Sequence, residues 1–428
     1  MKIKTKIKSY PEVLEIQKKN KGKVKMTRQP LFFRILMLLL SLPALKSTKF
    51  TCEKIGMEKL GKKEPCFILM NHSSFTDMKI ASKILFPRRF NIICSTDGFI
   101  GKAWLMRQIG CIPTHKFVLD IGLVRNISRA IKKNKCSVLM YPEAGYSFDG
   151  TATTLPDSLG KFAKMLEAPV IMITTYGAFA RDPMYNCLQI RDVKVSAKME
   201  YVLSPDDIKS KSADEINEII KEKFSFDNFR WQQENKIAIK EDFRADGLNR
   251  VLYKCPHCLA ESGNMEGRGT ELICHSCGAK YELDEYGFLR GINCETKFNH
   301  VPDWYKWERE CVRQEIIDGT YSMTDDVDIY MLVDMKCMYN VGSGVLTHNS
   351  EGFKLTGCDG QLEYNHTPQS SYTLMSDFFW YEIGDVIAIG NRQVLYHCFP
   401  KNKKDVVAKA RLATEEMYAL FKETKTKK

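Results

Sequence analysis

The chain has 428 residues, 44% hydrophobic, 27% charged and 11% aromatic, which excludes wholesale disorder and allows roughly two to four domains. A formal charge of +12 suggests an anionic partner such as nucleic acid, a phosphorylated substrate or a membrane surface. Residues 1–34 carry +9, residues 401–428 carry +5 and the body between them carries −2, so the basic character belongs to the ends.

Residues 1–30 read as a basic arm, helical over Glu12–Lys19. An apolar stretch follows from Leu31 to Leu45, broken by Arg34. Its uninterrupted part, Ile35–Leu45, would reach roughly 17 Å as a helix, short of a hydrocarbon core about 30 Å thick. The long basic segment before it and the lack of a small-x-small site after it argue against a signal peptide. A buried core helix and a membrane-interface helix both fit. The adjacent basic segment favours the interface, with Arg34 and Lys46 at headgroup level.

Beyond residue 50, short apolar runs alternate with amphipathic stretches, the pattern of an α/β domain over 51–245. Strands are predicted at Cys66–Met70, Phe90–Cys94, Ser137–Tyr141, Val170–Tyr176 and Val193–Val202. Helices are predicted at Phe75–Leu85, Lys102–Ile109, Asp120–Lys133 and Leu159–Glu167, then a charged helical run over Asp206–Trp231. Arg125, Arg129 and Lys132 share one helix face, better read as solvated than as a carrier-phosphate site.

Cys255, Cys258, Cys274 and Cys277 follow a C-x2-C-x15-C-x2-C spacing. Two tight turns with four thiolates make a closed tetrahedral set, so residues 250–290 are expected to be a zinc ribbon with structural Zn2+. His257 and His275 lie inside the pairs and are expected not to be ligands. The ribbon carries five basic and six acidic residues, a poor footprint for nucleic acid. The other cysteines are scattered singly, which points to a reducing, cytosolic compartment. Residues 291–320 read as a helical linker with Trp304 and Trp307. From 321 to 428 the texture is antiparallel β with a closing helix from about Asp405, an order that resembles the pleckstrin-homology-like plan.

The chemistry concentrates in Asn71-His72-Ser73-Ser74-Phe75-Thr76-Asp77, at the end of an apolar strand and the start of a helix. A carboxylate five residues after a histidine can fix one imidazole nitrogen and leave the other to take a proton. Three further blocks follow: Gly110-Cys-Ile-Pro-Thr-His-Lys116, Tyr141-Pro-Glu-Ala-Gly-Tyr-Ser147 and Ala168-Pro-Val-Ile-Met-Ile173. In order and spacing, the four blocks resemble the glycerolipid (1-acylglycerol-3-phosphate) acyltransferase family over roughly residues 50–205.

The resemblance implies an α/β acyltransferase domain with a mixed sheet flanked by helices. It implies His72 as general base, Asp77 as its orienting partner, and substrate contacts from Lys116, Glu143, Gly145, Tyr146 and Ser147. The acceptor would be a lysophospholipid such as 1-acylglycerol 3-phosphate. The donor would be acyl-CoA or acyl-ACP, and the setting the cytoplasmic face of a membrane, held peripherally or monotopically. The chain departs from the family pattern where Lys116 replaces Arg and where Ala144, Gly145 and Tyr146 replace Gly, Thr and Arg, so charge for an acceptor phosphate is thinner. An interaction protein on an acyltransferase fold and a zinc-ribbon nucleic-acid binder are the alternatives; basic tails and a ribbon alone do not favour nucleic acid.

Overall fold

The computed structural model describes residues 2–20, 28–117, 121–261, 263–402 and 405–426. Lys21, Lys23 and Lys25 of the basic arm, and the expected helix start at Asp120, lie outside the described residues.

A seven-stranded sheet forms the N-terminal half, in the order Thr51–Ile55, Ser196–Leu203, Val170–Tyr176, Phe67–Met70, Ser137–Met140, Phe90–Ser95, Cys111–Thr114. The last five run parallel, while Ser196–Leu203 runs against them and Thr51–Ile55 runs with Ser196–Leu203. The sheet is therefore mixed. Strand alternation builds a core on both faces: Ile68 and Met70 join one apolar cluster, Phe67 and Leu69 the other. The edge strands Thr51–Ile55 and Cys111–Thr114 are additions to the sequence reading, being short and, for Cys111–Thr114, interrupted by proline.

The run Asp206–Trp231 is three helices, Pro205–Ser210, Ala213–Lys223 and Asn228–Glu234, because Ser204 and Ser212 each open a capping box. Gly160, on helix Leu159–Leu166, faces the next helix: a Cβ there would lie 1.9 Å from the Ala213 carbonyl oxygen.

The four cysteines close a small antiparallel sheet of Met265–Arg268, Glu271–Cys274, Lys280–Leu283 and Leu289–Gly291. Helix Val301–Ile317 buries Trp304 completely, and Trp304 Nε1 donates to the Lys254 carbonyl at 3.0 Å. This helix thus packs into a core shared by the cysteine module and the C-terminal sheet.

The C-terminal strands form an antiparallel sheet in the order Leu362–His366, Gly352–Gly357, Met338–Asn349, Met323–Leu332, Leu395–Pro400, Gly384–Gly390, Met375–Trp380, followed by helix Val406–Thr426. Strand Met338–Asn349 outruns its neighbour Gly352–Gly357, which pairs only with Gly344–Asn349. Its free segment Met338–Asn340 takes up Thr5–Ile7 in parallel. Helix Tyr10–Lys19 follows, with Val13 buried in the same core. The described part of the basic arm is therefore docked on the C-terminal domain, which offers it an open strand edge.

Helix Leu31–Ser47 has 17 residues, about 26 Å, and no helix among the described residues is long and apolar enough to cross a membrane. Leu45 and Ser41 face the domain, while Leu31, Phe32, Leu39 and Leu40 are more than half exposed. Phe33 meets the exposed Trp104 edge to face at 5.8 Å, which extends the apolar surface onto helix Ala103–Gln108. Arg34, expected at headgroup level, is half-buried and donates to the Pro87 carbonyl instead, while Lys46 is exposed.

Candidate active site

The motif residues gather where the parallel strands end, the usual position for sites on such sheets. His72 follows Phe67–Met70, Glu143 to Ser147 follow Ser137–Met140, and Lys116 follows Cys111–Thr114. Asn71 pins the first of these ends: its Oδ1 accepts from the Thr175 amide at 2.8 Å.

Asp77 opens helix Asp77–Leu85 and is 1% exposed. Its Oδ2 accepts from the Ser73 and Ser74 amides at 2.8 and 3.0 Å and lies 3.0 Å from His72 Nδ1. Those amide donors fix the carboxylate, and the carboxylate fixes the Nδ1–H tautomer of the ring. His72 Nε2 has no hydrogen-bond partner among the described residues, and the ring borders a cavity of about 1390 Å³. Burial lowers the His72 pKa below 6.5, against the opposing pull of Asp77. The imidazole is thus neutral at pH 7 and able to accept a proton.

The ring is also held from both sides. Tyr141 stacks on it at 4.2 Å between centroids, and Tyr146 lies at 3.9 Å. Glu143 is fully buried, with one carboxylate oxygen accepting from the His72 amide at 2.8 Å and the other from the Thr153 amide at 2.9 Å. Burial pushes its carboxyl up to about 7, with the two amides pulling the other way. Ser147 donates its amide to the His72 carbonyl at 3.2 Å and its hydroxyl to the Thr151 carbonyl at 2.6 Å.

Of the expected substrate contacts, Lys116 and Tyr146 line the cavity with His72, whereas Glu143, Gly145 and Ser147 do not. Those three are loop residues behind the wall: Glu143 and Ser147 spend their polar atoms on backbone that shapes the motif. Ala144 adopts a left-handed φ of 51° where the family pattern has glycine.

The C-terminal domain completes the site, a contribution that no sequence pattern marks. Phe378 packs on Phe148 at 4.2 Å and Tyr372 on Phe117 at 5.5 Å. Arg411, from the last helix, is 3% exposed, lies over the Phe148 ring and donates to the Tyr146 carbonyl at 3.1 Å. A guanidinium thus reaches the third motif block from another domain while Tyr146 occupies its expected position. The far wall of the cavity is apolar, with Ile93, Met106, Val124, Ile127, Leu155 and Phe162.

The metal candidate lies apart from this cavity. The four cysteine sulfurs all fall within 4.8 Å of one another, with Cys255–Cys277 at 3.7 Å and Cys258–Cys274 at 3.6 Å. Tetrahedral ligation with metal–sulfur bonds of about 2.3 Å requires sulfur–sulfur separations of about 3.8 Å, so the set fits a metal ion. His257 and His275 are engaged elsewhere, with the Glu295 carbonyl and the Glu266 carboxylate.

Residues 51–176 match the family model described as Acyltransferase, so this segment carries an acyltransferase-type domain. The matched span covers the histidine motif and the loops that surround it. Among solved structures, the crystal structure of the 1-acyl-sn-glycerophosphate (LPA) acyltransferase PlsC from Thermotoga maritima is similar. It shares 17% identity, over 45% of this chain and 78% of that chain, with a TM-score of 0.36. No curated protein matches the chain.

Proposed function

We propose that the protein is a lysophospholipid acyltransferase, moving an acyl group from a thioester of CoA or acyl carrier protein to the free hydroxyl of 1-acylglycerol 3-phosphate or a related lysolipid. One observation carries this reading: the His72–Asp77 pair stands at the wall of a large cavity with an apolar flank. His72 Nε2 takes the proton from the acceptor hydroxyl as its oxygen attacks the thioester carbonyl. The C–S bond breaks, and the proton on His72 passes to the departing thiolate. No enzyme nucleophile is required. Asp77 orients the ring and stabilises the imidazolium. Glu143 is a positioning residue, holding the His72 backbone.

The four cysteines hold structural zinc, with no open position for catalysis. The C-terminal strands and helix form a pleckstrin-homology-like domain, a reading supported by four consecutive antiparallel strands, three returning strands and a closing helix. The exposed face of helix Leu31–Ser47, with Trp104, docks on the cytoplasmic leaflet, so the protein is monotopic or peripheral. The test is a panel of lysolipids offered with labelled acyl thioester. Acylated lysolipid with one thiol released per transfer supports the reading, and no transfer to any lysolipid overturns it.

A further inference from the structure

The cavity holds charges of both signs that remain unpaired. Asp97 follows catalytic strand Phe90–Ser95, and Asp377 lies on C-terminal strand Met375–Trp380. Each is 6% exposed, lines the cavity, and has an Oδ1 atom with no hydrogen-bond partner among the described residues. Lys116 lines the same cavity and makes no hydrogen bond or ion pair among the described residues, although its charge is felt by both His72 and Asp377. Tyr381, from the C-terminal domain, lines the same cavity, and its ring meets Trp380 edge to face at 4.6 Å.

A buried carboxylate oxygen without a donor is costly, and two from different domains beside one cavity suit a cation beyond Lys116 and Arg411, whose charges act on Asp377. Aromatic rings next to carboxylates suit an ammonium group. Lys116 suits an anion of point-like charge such as phosphate. A lysolipid with a bare phosphate would satisfy Lys116 but bring a further anion towards Asp97 and Asp377. We propose that the acceptor headgroup is zwitterionic, with its phosphate on Lys116 and its ammonium on Asp97 and Asp377. This rests on the acyltransferase reading of the same cavity.

The test uses the full-length, metal-loaded protein and lysolipids of one acyl chain, kept below micellar concentration. These are lysophosphatidylethanolamine, lysophosphatidylcholine, lysophosphatidylglycerol and lysophosphatidate. Both kcat/KM and the binding constant to the His72→Ala protein are measured. The ammonium-bearing lipids should exceed the other two at least tenfold. Asp97→Asn and Asp377→Asn should each cut that preference about 10- to 100-fold, with lysophosphatidylglycerol unchanged or improved. The two ammonium lipids distinguish a primary from a quaternary group. Equal loss for all four lipids, or a wild-type preference for lysophosphatidate, would overturn the proposal. Absence of transfer with every lipid would overturn the acyltransferase reading, and the binding series would still decide the headgroup. Thermal unfolding identifies a variant that does not fold, and the other aspartate then carries the comparison.

Discussion

His72 is held by three kinds of contact: a carboxylate on Nδ1, a tyrosine on each face, and Glu143 on its backbone amide. Its neutral form is the active one, so kcat/KM should fall as pH drops through a value below 6.5 and stay flat above it. Asp77 raises the His72 pKa, so Asp77→Asn should move this acid limb to lower pH and cut kcat by about a hundredfold or more. A pH profile of both proteins checks this, and an unmoved limb would contradict the pairing. The His72–Asp77 contact was legible because it is local. The Glu143–His72 contact was not, because it closes across 71 residues and depends on two parallel strands ending side by side. Asp97 lies just past a predicted strand, a signal present in the sequence, whereas Asp377 and Arg411 have none.

Elements whose signals lie within a few residues were readable. Val170–Tyr176 forms over its expected span, and the caps at Ser204 and Ser212 divide the charged helical run that follows. Which side a residue faces was harder, as Gly160 illustrates. Its helix presses on Ala213–Lys223, and Gly160→Ala should cost about 1–3 kcal/mol, read as a lower midpoint of thermal unfolding. An unchanged midpoint would contradict the packing. The cysteine module was legible from spacing alone, but its fusion with helix Val301–Ile317 and the C-terminal sheet was not. Metal loss should therefore destabilise more than the module. We expect about one zinc per chain, lost in Cys255→Ser together with a lower unfolding midpoint. Metal-free wild type of equal stability would contradict this.

Across the whole molecule, the +12 charge divides differently from its first appearance. The described part of the arm pairs with the C-terminal sheet, so the proposed membrane attachment rests mainly on the apolar face of Leu31–Ser47. Leu39→Glu with Leu40→Glu should weaken binding to anionic vesicles at least about tenfold in a sedimentation assay. Unchanged binding would assign attachment elsewhere. The C-terminal domain covers the strand ends and contributes Asp377, Tyr381 and the Arg411 brace, a tertiary arrangement that no local pattern encodes. In the proposed reaction His72 deprotonates a lysolipid hydroxyl for attack on an acyl thioester. Its most direct measurement is acyl transfer by wild type and His72→Ala side by side. The wild type should transfer the acyl group, and the variant should lose about 10²- to 10⁴-fold of that rate. Equal transfer by the two proteins would contradict it.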